Sequence, residues 1–170
     1  GCVELHNHIP TGKTLQFYCA VDKEIDKAAQ KVHGLTNSFL KNHPSFGEQA
    51  EKFLSFVSDD DLIIHNAEFD LSHLNNELGI LGRSKLSKEN VIDTLEIARD
   101  KFPGSSISLD ALCKRYRIDN SKREKHNALI DCELLTKVYI NLIDQKEPTL
   151  NFLNQDNELL EKYDPGNVYF

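Results

Sequence analysis

Hydrophobic positions along the chain alternate between strand-like and helix-like spacing. Residues 2 to 5 and 14 to 21 (TLQFYCAV) are rich in β-forming types. The HNHIPTGK between them carries Pro10 and Gly12, so a hairpin is expected with its turn there. A short polar segment over 26 to 32 reads as a helix ended by His33-Gly34, with the glycine as C-cap. Beyond Pro44-Ser45, Phe46, Ala50, Phe53, Leu54 and Val57 recur at spacings of three and four, which predicts one apolar helical face. Leu62-Ile63-Ile64 is a short continuous apolar run, the pattern of a strand buried on both faces. Leu71, Leu74 and Leu78 restore helical spacing up to Gly79. Two more helices are predicted over 94 to 102 and 108 to 117, separated by Pro103-Gly104, with Ser108 capping the second. A last helix follows His126, its stripe formed by Leu134, Leu135, Val138, Leu142 and Ile143.

Strands first, then strand and helix interleaved, indicate an α/β or α+β domain: one mixed sheet flanked by helices. The packed domain is expected over residues 1 to 144. From 145 to 170 the chain turns polar and carries two prolines (QKEPTLNFLNQDNELLEKYDPGNVYF), as a tail or linker does.

A length of 170 residues suits one domain with a real core. No run nears the roughly 18 apolar residues of a bilayer span, so no membrane is expected. Cys2, Cys19, Cys113 and Cys132 lack CxxC spacing and read as reduced thiols of a cytoplasmic protein. Gly1-Cys2 suggests lipidation, but Leu5 stands where the myristoylation pattern needs Ser or Thr. The net charge of −7 argues against a broad footprint on nucleic acid, while leaving room for a site that grips a strand end through metal ions. Met is absent, which implies a removed initiator or an excerpt of a longer chain.

One pattern carries chemistry. HNAEFD at 65 to 70 recurs as HNALID at 126 to 131. On a continuous helix, positions five apart diverge by ~140°, so His and Asp can converge only if the His precedes the helix. His65 is expected at the end of a strand and Asp70 in the first turn of the next helix, sharing a face with Leu74 and so pointing coreward. Asp131 shares a face with Leu135 and Val138. An inward carboxylate needs a hydrogen-bonding partner or a cation; an acid favoured by the helix dipole is the plainer reading of Asp70. Two such acids suggest a divalent metal site of the Mg²⁺ or Mn²⁺ kind. His126 follows the charged, loop-like Ser121-Lys122-Arg123-Glu124-Lys125; an accessible imidazole can serve as a general base near neutral pH, although a lone loop His is more often just solvated.

LIIHNAEFDLSHLN and SLDALCKRYRIDNSKREKHNALIDCELL resemble the second and third motifs of the DEDDh-type 3′→5′ exonucleases. The resemblance covers about residues 1 to 143, and FPGSSISLDALCKRYRIDNSKR is similar to the branch formed by the proofreading epsilon subunits of bacterial DNA polymerase III. It implies an RNase H-like fold and two divalent cations, Mg²⁺ or Mn²⁺. It also implies hydrolysis at the 3′ end of single-stranded or frayed DNA, releasing deoxynucleoside monophosphates. By the same resemblance, Asp70 and Asp131 ligate metal and His126 deprotonates the attacking water. Val32, His33, Asn66 and Phe69 shape the pocket of the terminal nucleotide. His65 has no catalytic counterpart, and Asp93 matches a supporting acid.

The family's first motif, an Asp-x-Glu pair on the first strand, lies ahead of where this sequence begins, so the fold is expected to lack that central strand. Asp22-Lys23-Glu24 has the same spacing but falls in a loop, as a solvated charge cluster. In the tail, Glu147, Leu150 and Phe152 resemble a sliding-clamp-binding peptide, with Glu147 in place of a Gln; a linker with incidental apolar residues is the alternative. The implied partners are the catalytic subunit of DNA polymerase III and the clamp, in a bacterial replisome. Two other readings stay open. One is a non-catalytic adaptor for polymerase or clamp, and the other an exoribonuclease of the same superfamily.

Overall fold

The computed structural model describes residues 1–123 and 127–143. β1 (Cys2–His6) and β2 (Ile9–Leu15) form an antiparallel hairpin. Its turn is Asn7-His8, both with positive φ (50° and 65°). That geometry matches the right-handed twist of the flanking strands and is one that Asn tolerates. The turn therefore comes earlier than Pro10 and Gly12 suggest, and both lie within β2, opposite β1 on one edge only. Gly12, at φ 88°, sits where the register slips between Val3 and Leu5. Residues 16 to 21 leave the strand.

Among the described residues six α-helices begin with a side-chain cap, four of them away from the two hexapeptides and from Asp93. Asp26 accepts from Ala28 N–H ahead of α1 (Lys27–His33), and Gly34, at φ 74°, closes that helix as expected. Thr36 caps the single turn α2 (Asn37–Leu40). Ser45 and Glu48 form a reciprocal capping box at α3 (Phe46–Val57). Ser108 accepts from Ala111 N–H at α6 (Leu109–Tyr116). β3 (Leu62–Ile64) leads into α4 (Ala67–Ile80), which passes through Gly79. β4 (Val91–Asp93) leads directly into α5 (Thr94–Lys101), and α7 (Ala128–Leu142) closes the described fold.

The fold is mixed α/β. Among the described residues its strands form two pairs: antiparallel β1–β2 and parallel β3–β4, the latter in the register Leu62↔Val91, Ile63↔Ile92 and Ile64↔Asp93. β3 is half-buried rather than covered on both faces.

Among the described residues there are two core clusters. Ala98, Leu109, Leu112, Cys113, Leu134, Val138 and Leu142 pack α5, α6 and α7 together. Leu15, Phe53 and Val57 join β2 to α3, with Leu62 and Leu74 packed against them. The hairpin is tied to α7: the His8 ring lies 5.6 Å from that of Tyr139, and Cys132 Sγ donates to the Gly1 carbonyl at 3.1 Å. No helix among the described residues is long and apolar enough to cross a membrane.

Candidate active site

Parallel pairing of β3 with β4 builds the turn at the first hexapeptide. Because Asp93 stands opposite Ile64, its carboxylate reaches across to the chain leaving β3. It accepts from Asn66 N–H at 3.0 Å and Ala67 N–H at 2.9 Å, and from Leu95 N–H of its own helix at 2.8 Å. One carboxylate thus caps α4 and α5 together, satisfying amides that a helix start leaves without partners. Asn66 is left-handed (φ 69°, ψ 58°) and makes no side-chain cap bond of its own. His65 is a structural residue, as expected: Nδ1 lies 2.9 Å from the Thr94 hydroxyl, which donates to the Ile64 carbonyl at 3.2 Å. Burial pushes its imidazole below the usual range, against the Asp93 charge and a backbone hydrogen bond at Ile107.

Asp70 falls in the first turn of α4 but is exposed, not turned coreward. The buried face of that helix is Ala67, Leu71 and Leu78, and Asp70 lies one residue to its side. Local desolvation still lifts its carboxyl above the ordinary range. Its helix N–H and His73 oppose the lift, and Asp93 adds to it. Beside it, the Phe69 ring is 62% exposed and meets His73 edge-on at 4.7 Å.

At the second hexapeptide Asn127 is extended and caps its own helix, Oδ1 accepting from Leu129 and Ile130 N–H at 3.1 and 3.3 Å. Asp131 sits in the first turn. Arg123 takes both of its oxygens, Nε to Oδ1 at 2.5 Å and Nη2 to Oδ2 at 3.1 Å, while Nη1 pairs with Asp110 at 2.7 Å. Sequence reasoning missed this ion pair. Arg123 read as one of several loop charges, and a bridge from loop to helix leaves no periodic trace.

The charges of the two hexapeptides are both felt at Cys132. Its thiol is pushed up to about 11, first by burial, opposed by the amino group of residue 1 and raised further by Cys2, Asp131 and Asp70. Both carboxylates are therefore within electrostatic reach of this half-buried thiol. Their oxygens are of the type that suits a hard divalent cation. They fit in kind but not in number, because no group of three or more His, Cys, Asp or Glu side chains gathers among the described residues.

Val32, half exposed at 51%, and His33 close α1. His33 Nδ1 accepts from Leu35 N–H at 3.0 Å, a local bond. Val32 and Phe69 are both exposed large apolar side chains, as ligand-contacting groups would be. Asp22-Lys23-Glu24 is exposed in the loop after β2, consistent with a solvated cluster. His126, Glu147, Leu150 and Phe152 lie outside the described residues.

A family model described as Exonuclease matches residues 1–139. The chain is 44% identical over 162 residues to DNA polymerase III subunit epsilon of Rickettsia prowazekii (strain Madrid E), covering 94% of this chain and 71% of that protein. It is 42% identical over 144 residues to the subunit of the same name from Escherichia coli (strain K12), covering 82% and 59%. Among solved structures, exonuclease X in complex with 5′ overhanging duplex DNA superposes with a TM-score of 0.61 at 20% identity, covering 85% of this chain and 80% of that one. That last likeness speaks for the fold.

Proposed function

The chain belongs to the exonuclease family, as a 3′→5′ exonuclease of the DNA polymerase III epsilon-subunit kind, and we propose that it proofreads DNA synthesis by hydrolysing the 3′-terminal phosphodiester of a single-stranded or frayed end. The observation that carries this reading is that Asp70 and Asp131 stand in the first turns of two different helices, both within electrostatic reach of the half-buried Cys132.

In this reading Asp70 and Asp131 hold Mg²⁺ or Mn²⁺, together with acids of an upstream Asp-x-Glu strand. Two such cations supply charge stabilisation at the attacking and leaving oxygens. The elevated carboxyl of Asp70 fits the role, since a crowded anion gains from a cation next to it. His126, next in sequence to the Asn127 cap of α7, takes the proton from the attacking water. His65 is given no part in that work, its Nδ1 being engaged with the Thr94 hydroxyl within the fold. Phe69 and Val32 offer apolar surface to the terminal base and sugar. Asn66 is held beside Phe69 by the Asp93 cap, and His33 adjoins Val32. The partners in this reading are the polymerase III catalytic subunit and, through Glu147, Leu150 and Phe152, the sliding clamp, placing the protein in the cytoplasmic replisome.

The test is a Mn²⁺-dependent assay with 3′-mispaired DNA, single-stranded DNA and oligoribonucleotides, using the chain with and without an Asp-x-Glu strand joined ahead of Gly1. Deoxynucleoside monophosphate release from DNA ends is the expected result. Activity confined to RNA would overturn the proofreading reading. An inert extended chain that still bound polymerase would make it an adaptor.

A further inference from the structure

We propose that Arg123 is a built-in counter-cation for Asp131, which a divalent cation must displace, and that Asp110 receives the guanidinium when it lets go. This rests on the reading of Asp131 as a metal ligand.

Arg123 Nε and Nη2 reach the two oxygens of Asp131 at 2.5 and 3.1 Å, a two-pronged grip that only a guanidinium can make. A divalent cation on the same carboxylate would lie within a few ångströms of that guanidinium, and like charges at such range repel strongly even at intermediate polarity. The two cations therefore compete for Asp131. The third prong, Nη1, is already on Asp110 Oδ2 at 2.7 Å.

The two acids differ in a way that suits an exchange. The Arg123 side chain is 7% exposed and that of Asp131 24%, whereas that of Asp110 is 57% exposed. Asp110 is also fixed in place, in the first turn of α6 with Asn120 Nδ2 donating to its Oδ1 at 3.0 Å. Arg123 can leave Asp131 and remain paired with an acid that water solvates. The release needs a short rotation about an anchor already made. Arg123 is in this sense a positioning residue, not a catalytic one.

The experiment measures the Mn²⁺ dissociation constant of the chain carrying an upstream Asp-x-Glu strand from the free-Mn²⁺ EPR signal, with thermal unfolding alongside. Arg123→Gln should tighten binding about tenfold, the scale on which outer partners tune metal sites. Lys122→Gln, which removes the neighbouring exposed charge, should change it far less. Asp110→Asn should weaken binding about threefold, the worth of one partly solvated pair, because the guanidinium then loses the acid to which it is released. Without metal, Arg123→Gln should melt at lower temperature than wild type, and saturating Mn²⁺ should narrow the gap. Should Arg123→Gln not fold, Arg123→Lys, which cannot grip both oxygens, should bind Mn²⁺ with intermediate affinity. Equal shifts for Arg123→Gln and Lys122→Gln, or tighter binding by Asp110→Asn, would overturn the proposal and leave a merely structural bridge. Asp131→Asn separates the two levels. If it abolishes Mn²⁺ binding while Arg123→Gln changes nothing, only this inference fails. If it binds like wild type, or if no variant binds, the metal-ligand reading fails first.

Discussion

At the first hexapeptide the asparagine is left-handed and its helix is capped from outside by Asp93; at the second the asparagine is extended and caps its own helix. The histidines differ as well. His65 is held half-buried against Thr94, while His126 lies outside the described residues, after the charged sequence Lys122-Arg123-Glu124-Lys125. What the two regions share is the outcome at position six, an acid in the first turn of a helix, both acting on Cys132. Identical letters are thus used for different local physics, because the elements before them differ: a strand paired with β4 in one case and a loop in the other. The acids also rest differently. Asp70 faces outward with a raised carboxyl, while Asp131 is neutralised by Arg123.

The largest effects should fall on activity. In the chain carrying an upstream Asp-x-Glu strand, Asp70→Asn and Asp131→Asn should each lower nucleotide release by more than about a hundredfold. His126→Ala should lower it by about a hundredfold or more, and His65→Asn only through stability. Comparable catalytic losses at both histidines would erase the distinction drawn between them.

Stability comes next. Asp93→Ala removes the acceptor of three amides at two helix starts and should cost about 2–3 kcal/mol in urea unfolding. Asn127→Ala removes one helix cap and should cost about 1 kcal/mol. Equal costs would mean that the first turn is not held by Asp93. At Asn66 the left-handed φ makes Ala unfavourable by about 1 kcal/mol and Gly nearly neutral.

The smallest effect is a pH slope. Burial depresses His65 in the folded state, so the unfolded chain binds the proton more readily. Stability should therefore fall as pH drops below about 6.5 and level off below the depressed folded value. His65→Asn should remove that slope. Asp70 works in the opposite sense at more acid pH. Its raised carboxyl stabilises below the ordinary Asp range and loses that contribution as pH rises through the raised value.

Helices α3, α4, α6 and α7 were legible because each carries three or more apolar positions at helical spacing and most begin at a recognisable cap. The single turn α2 and the three-residue β4 were not, since three or four residues hold no period. The segment HNHIPTGK predicts the hairpin turn, and Asn7-His8 at its start makes the two-residue turn rather than Pro10 and Gly12. The place of Asp70 and Asp131 on their helices could be read from spacing. The outward aspect of Asp70 could not, because one residue of offset from Leu71 separates a buried position from a flank. The Arg123 grip depends on a loop path that no pattern encodes.

The central claim is that two unlike turns deliver Asp70 and Asp131 to one metal site. A double-variant cycle of Mn²⁺ affinity, using Asp70→Asn, Asp131→Asn and the pair together, tests it most directly. A shared site predicts strong coupling, the double variant binding hardly more weakly than the worse single one. Additive losses, or an Mn²⁺ ion retained unchanged by either single variant, would contradict it.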